Sequence, residues 1–165
     1  MKRIIVIFIC LLAMNAKSYG QSREQIYSGV ILHIMNYVEW PSYDKEMTIG
    51  IVNDPVLVKT IRKACLGKKI HFKDVSIQQL ESVAAAKEVD VLFFSKRVIK
   101  GFSPQQMTNA KGILIITEES GEVASTASIN FIQRNGSLQL ELYNETAELC
   151  GFKISDQLKK LAILK

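Results

Sequence analysis

Two histidines, His33 and His71, and two cysteines beyond the first twenty residues, Cys65 and Cys150, are the side chains with which this chain could hold a transition metal or pair a nucleophile with a base. Neither chemistry finds its spacing. Zinc sites draw ligands at short intervals such as C-x-x-C or H-x-x-x-H, because a tetrahedral ion needs neighbouring side chains on one turn or hairpin. Here the four residues are scattered along the chain, and each reads more simply as a core or surface side chain. There is no G-x-S-x-G nucleophile elbow, and Gly67-Lys68 lacks the glycine five positions earlier that a phosphate-cradling loop requires, Arg62 standing there instead. No metal or cofactor is called for.

Carboxylates are the next candidates. Glu118, Glu119 and Glu122 gather after an apolar run, and Asp54 and Ser95 follow two other such runs. Open α/β sheets bind ligands outside the carboxyl ends of their strands, so Asp54, Ser95 and Glu118 form a candidate ligand crevice. The plainer reading of the glutamates is a solvated loop, and Asp54 is already explained as a helix cap. No histidine, cysteine or lysine converges with them to complete an acid, a base and an oxyanion site, so an enzyme is not expected. Lys96, Arg97 and Lys100 make a small basic patch without interleaved aromatics, far short of a nucleic-acid surface.

The elements that must position these residues can be read from pattern. Ser22-Arg23-Glu24-Gln25 has the S-x-x-Q form of a capping box, and Ile26, Val30, Ile34, Tyr37 and Val38 then recur at helical spacing, with Pro41 ending the helix at or before Trp40. Met47 to Val52 reads as a strand, after which Asp54 caps a helix that Pro55 opens and that turns Val56, Leu57, Ile61 and Ala64 inward before stopping near Gly67. Ile70 to Val75 alternates as a second strand, and Ile77 to Lys87 reads as helical. Val89 to Phe94 and Gly112 to Thr117 are continuous apolar runs suited to strands buried on both faces, with a short helix opening at Ser103-Pro104 between them. Asn135-Gly136 joins two alternating segments into a hairpin. Asn144 then caps a closing helical segment, Gly151 interrupts it, and Ser155 recaps a last piece carrying Leu158, Leu161 and Ile163. The fold class is α/β, a largely parallel central sheet flanked by helices, with a C-terminal β-hairpin at one edge and a closing helix.

Residues 1–20 have the three parts of a secretory signal: basic Lys2 and Arg3, an apolar stretch from Ile4 to Ala13, and small residues at Ser18 and Gly20. That stretch is about half the roughly twenty residues needed to span a bilayer, so cleavage near Gly20 and export to the periplasm are expected. Residues 21–165 then make one domain, a length able to bury a real core. Without Lys2, Arg3 and Lys17 the formal charge of +5 falls to +2, which weakens any nucleic-acid role.

Tyr37-Val38-Glu39-Trp40-Pro41, Thr48-Ile49-Gly50-Ile51-Val52, Val91-Leu92-Phe93-Phe94-Ser95, Ser128-Ile129-Asn130-Phe131 and Gly151-Phe152-Lys153-Ile154-Ser155 with Leu158 and Leu161 follow one another in this order. Together they resemble the YfiR family of periplasmic regulators. The resemblance implies a small protein that represses an inner-membrane signalling protein, a diguanylate cyclase or a sensor histidine kinase, through its extracytoplasmic region, with cyclic di-GMP as the downstream signal. It carries over no catalytic residue. Self-association as a homodimer stays open, as does a small-ligand receptor role for the strand-end crevice. Relatives carry structural disulfides, one with a cysteine where this chain has Val89. Cys65 and Cys150 could pair with each other, stay buried as small apolar groups or remain reactive thiols. Trp40 has two readings, a core filler behind the first helix or an anchor facing a partner.

Overall fold

The computed structural model describes residues 21–40, 46–95, 111–118 and 120–165. The expected signal peptide, Pro41, the basic patch at Lys96, Arg97 and Lys100, the helix opening at Ser103-Pro104, and Glu119 lie outside the described residues.

Helix α1 (Arg23–Met35) begins with the capping box in place: the Ser22 hydroxyl accepts from the Gln25 amide at 3.2 Å, and the Gln25 side chain accepts from the Ser22 amide at 2.9 Å. Its inward face carries Tyr27, Ile31, Ile34 and Met35. The helix stops at Met35, short of the expected end near Trp40. Val38 and Glu39 instead form β1 (Val38–Glu39), which pairs antiparallel with β9 (Lys153–Ile154). A strand partner more than a hundred residues away decides that exit, and helical spacing alone does not reveal it.

Strand β2 (Met47–Val52) leads into the Asp54 cap, whose carboxylate accepts from the Leu57 amide at 3.0 Å, and then helix α2 (Pro55–Cys65). Leu57, Val58, Ile61 and Cys65 are buried, whereas Val56, expected inside, faces solvent. Gly67 ends the helix with φ of 70°. The next segment departs most from expectation. Instead of one strand and a helix, Lys69–Ile70 (β3) turns tightly through His71 and Phe72, both at positive φ, into β4 (Lys73–Leu80), and only a single 3-10 turn at Val83–Ala85 follows. Residues 75–80 pair in register with all of β2, from Met47↔Val75 to Val52↔Leu80. That ladder overrides the weak helical spacing of Ile77 to Lys87.

The remaining elements are β5 (Val91–Ser95), β6 (Leu114–Glu118), the one-turn α3 (Glu122–Ser125), β7 (Ile129–Arg134), β8 (Ser137–Leu142), α4 (Asn144–Leu149), β9, α5 (Asp156–Leu161) and β10 (Ile163–Leu164). Asn135 and Gly136 both take positive φ in the β7–β8 turn, as an Asn-Gly hairpin requires. Asn144 is the first helical residue and not the cap; its side chain donates along the helix to Glu148 at 2.7 Å. Ser155 caps α5 as expected, but Ile163 lies in β10, not in that helix.

The described strands build an eight-stranded sheet in the order β10-β8-β7-β6-β5-β2-β4-β3, parallel through its centre and antiparallel at the β7–β8 and β4–β3 hairpins. The α/β class and the hairpin toward one edge therefore hold, with β10 added outside β8. Side chains of one sheet face meet α1, α2 and the C-terminal segment in the main core, around Ile49, Phe93, Ile116 and Phe131. The other face carries a smaller cluster around Val52, Phe94 and Ile115. Gly50 points into that second cluster, where a Cβ would lie 2.7 Å from Leu80 Cδ1 and 3.0 Å from Val89 Cγ1, so the close packing there depends on a missing side chain.

Candidate functional site

In a sheet ordered β6-β5-β2-β4, the chain leaves β2 toward β4 and leaves β5 toward β6 on the opposite side, so the carboxyl ends of β2 and β5 flank a topological switch point. Asp54 follows β2, Ser95 ends β5 and Glu118 ends β6 directly beside Ser95 in the parallel register. The structure thus brings all three expected crevice residues to one sheet end. Alternation along β5 and β6 turns Ser95 and Glu118 to the same face as Phe93 and Ile116, the face covered by α1.

What sequence reasoning missed is the group that joins them. Arg23, in the first turn of α1, donates to Asp54 Oδ2 at 3.1 Å and to Glu118 Oε2 at 2.5 Å. Tyr27, one turn further on, donates its hydroxyl to Glu118 Oε1 at 2.6 Å, and the Arg23 guanidinium lies over the Tyr27 ring, 4.4 Å from its centre. The ring is held edge-on by Phe131 and Phe93, at 5.0 Å and 6.0 Å. Burial works against the charge on Arg23, but its hydrogen bonds to Glu118 and Asp54 prevail and hold the guanidinium above its ordinary pKa. Burial, reinforced by the bond to Glu118, pushes the Tyr27 phenol from 10.0 up to about 12. A signal for Arg23 was present. A cation in the first turn of a helix opposes the macrodipole, by roughly 0.3–1 kcal/mol, and calls for a carboxylate partner.

The cluster is a latch. It bridges two strand-end carboxylates with one positive charge and fixes the start of α1 across the sheet, and its members are bound to one another rather than aimed at a reacting atom. Among the described residues, no group of three His, Cys, Asp or Glu side chains is placed to hold a metal ion.

Trp40 is buried. Its indole N–H donates to the Met35 carbonyl at 3.1 Å, and its ring meets Phe152 edge-on at 5.2 Å. The same carbonyl accepts from His71 Nε2 at 3.0 Å, so Trp40 and His71 together satisfy the end of α1, which would otherwise leave a buried acceptor open. His33 stacks edge-on against Tyr37 at 4.7 Å. Cys65 and Cys150 are free thiols, one buried at the end of α2 and the other half-buried at the end of α4. Burial pushes both thiols above their usual pKa, which suppresses thiolate and with it reactivity.

These features define an α/β domain whose N-terminal helix is latched across the carboxyl ends of a largely parallel sheet. The family model described as YfiR/HmsC-like (DUF4154) matches residues 24–163, and the chain belongs to that family. The match takes in Trp40, Asp54, Ser95, Glu118 and both thiols. Among the described residues, no helix is long and apolar enough to cross a membrane.

Proposed function

We propose that this protein is a periplasmic regulator that binds the extracytoplasmic region of an inner-membrane signalling protein, a diguanylate cyclase or a sensor histidine kinase, and holds its output down. The observation that carries the reading is the family match, which runs from the first turn of α1 through the main core to the closing helices and so concerns the whole fold rather than one motif. The basic and apolar residues at the start of the chain support export. The latch supports a binding role by its economy: Asp54, Glu118 and Tyr27 are already engaged with Arg23 or one another. For the same reason the small-ligand reading of the crevice is the weaker one, since Arg23 occupies the place that a cationic ligand group would take. Affinity purification of the tagged protein from detergent-solubilised envelopes tests the proposal. It should recover a membrane cyclase or kinase; recovery of transport proteins alone would favour the receptor reading.

A further inference from the structure

Strand β4 has an open outer edge. The Asn53 amide donates to the Leu80 carbonyl at 3.0 Å, so Leu80 faces β2. Backbone groups of successive strand residues point to opposite sides, so Ser76 and Gln78 face β2 with Leu80, while Val75, Ile77 and Gln79 face away. Arg62 confirms the assignment from outside by donating its guanidinium to the Ile77 carbonyl at 3.0 Å. The neighbouring strand β3 covers only Lys73 and Asp74. Among the described residues, no strand lies beside Val75 to Gln79.

Natural edge strands are blunted with lysine, proline, bulges or inward charges, because an uncovered row of N–H and C=O groups recruits another strand. Val75-Ser76-Ile77-Gln78-Gln79-Leu80 contains no charge and no proline. A groove of about 410 Å³ runs alongside; its walls hold Leu66, Val75 and Ile77, with Arg62 and Lys68 on one side and the acids Glu46 and Asp74 among them. Leu66 in its wall and Phe72 in the β3–β4 turn stand exposed, 82% and 95% accessible.

On its α2 and β3 side the rim is basic. Residues 59–74 carry six lysines and arginines against one acid, Asp74, while residues 21–165 as a whole carry 18 against 16. Lys59, Arg62, Lys63, Lys68 and Lys69 are all exposed. The positive excess of the chain is therefore collected beside this uncharged edge.

We infer that the β4 edge is a strand-addition site for an acidic, extended polypeptide segment of another protein. Main-chain hydrogen bonds to Val75, Ile77 and Gln79 would hold the segment, the exposed Leu66 and Phe72 would take its apolar side chains, and the rim would take its carboxylates. Arg62 gives up the Ile77 carbonyl to the incoming strand and receives an acidic side chain in exchange. A second copy of this chain fits the edge less well, because it would bring two basic rims together. The inference deepens the regulatory reading by naming a surface and the chemistry of the partner segment.

The test uses the mature full chain and a fluorescein-labelled decapeptide of alternating glutamate and valine, followed by anisotropy. Saturable binding should weaken about tenfold or more between low and 0.3 M salt, as screening of the rim charges demands. Gln79→Pro removes one outward N–H without touching the ladder to β2 and should weaken binding about tenfold. The Lys63→Glu/Lys68→Glu double variant, altered only on exposed side chains, should do the same at an unchanged melting temperature, and it decides the matter if the proline variant is unstable. Equal binding by wild type and both variants would overturn the inference. So would displacement of the peptide by heparin with no effect of Gln79→Pro, which would mark a general polyanion surface, or sedimentation showing a dimer that Gln79→Pro dissociates. The peptide measurement involves no signalling protein, so its failure and failure of the regulatory reading are separate results.

Discussion

Arg23 and Glu118 lie 95 residues apart in the chain and meet at 2.5 Å, joining the first turn of the N-terminal helix to the last residue of a central strand. With Asp54 at 3.1 Å on the other side of the guanidinium, one arginine closes the end of the sheet. Both side chains of the Arg23–Glu118 pair are about one-fifth to one-quarter exposed, so solvent screens them only in part.

Removing Arg23 leaves two carboxylates facing each other beside a buried phenol. Arg23→Ala should cost about 2 kcal/mol, below the 3–5 kcal/mol of a fully buried pair because of that residual exposure. Urea denaturation measures it, and a double-mutant cycle with Glu118→Gln should return a coupling energy of about 1 kcal/mol or more. Additive effects would mean that Arg23 and Glu118 are not coupled.

The alkaline limb of stability should belong to Tyr27. Its folded pKa is raised from 10.0 to about 12, so the stability it contributes is fully present below pH 10 and is lost as the pH rises through about 12. Tyr27→Phe should remove that loss. In acid the sign reverses at Glu141, which burial would push up but which the Asn130 amide at 2.9 Å and Lys165 at 3.0 Å hold below the usual carboxylate range. Its contribution is present at neutral pH and disappears as the pH falls through the lowered value, and Glu141→Gln should flatten the acid limb. Chemical denaturation at several pH values checks both.

Trp40 is the single tryptophan, so its fluorescence reports one site. Emission should be blue-shifted in the native protein and move to the red on unfolding. Trp40→Ala should cost about 3–5 kcal/mol, through lost packing on Phe152 and the loss of one of the two hydrogen bonds to the Met35 carbonyl. A stable Trp40→Ala variant with impaired partner binding would instead make Trp40 a surface anchor.

Cys65 and Cys150 should both be unreactive toward iodoacetamide in the native state and both alkylated once unfolded without reductant. Mass spectrometry counts the labels. Fewer than two on the unfolded mature chain would reveal a disulfide between them.

Local chemistry made part of this architecture readable in advance. Asp54-Pro55 fixes a helix start and Asn135-Gly136 a hairpin through backbone angles that few other residues adopt, and the run from Val91 to Phe94 is apolar because both faces of β5 are covered. The two largest failures share one cause, pairing at a distance. Val38 and Glu39 leave the helix for a partner at Ile154 and Lys153, and the stretch from Ile77 to Leu80 is a strand because β2 lies beside it. In the crevice, Asp54, Ser95 and Glu118 could be placed from strand ends alone. Arg23 could not, since its role depends on the packing of α1 over the sheet.

The regulatory role itself is tested most directly by the output of the signalling partner in cells with and without this gene. Where the partner is a cyclase, deletion should raise cellular cyclic di-GMP, and complementation with the exported protein should lower it again. Unchanged output in the deletion strain, with no membrane signalling protein recovered alongside the tagged protein, would contradict the account.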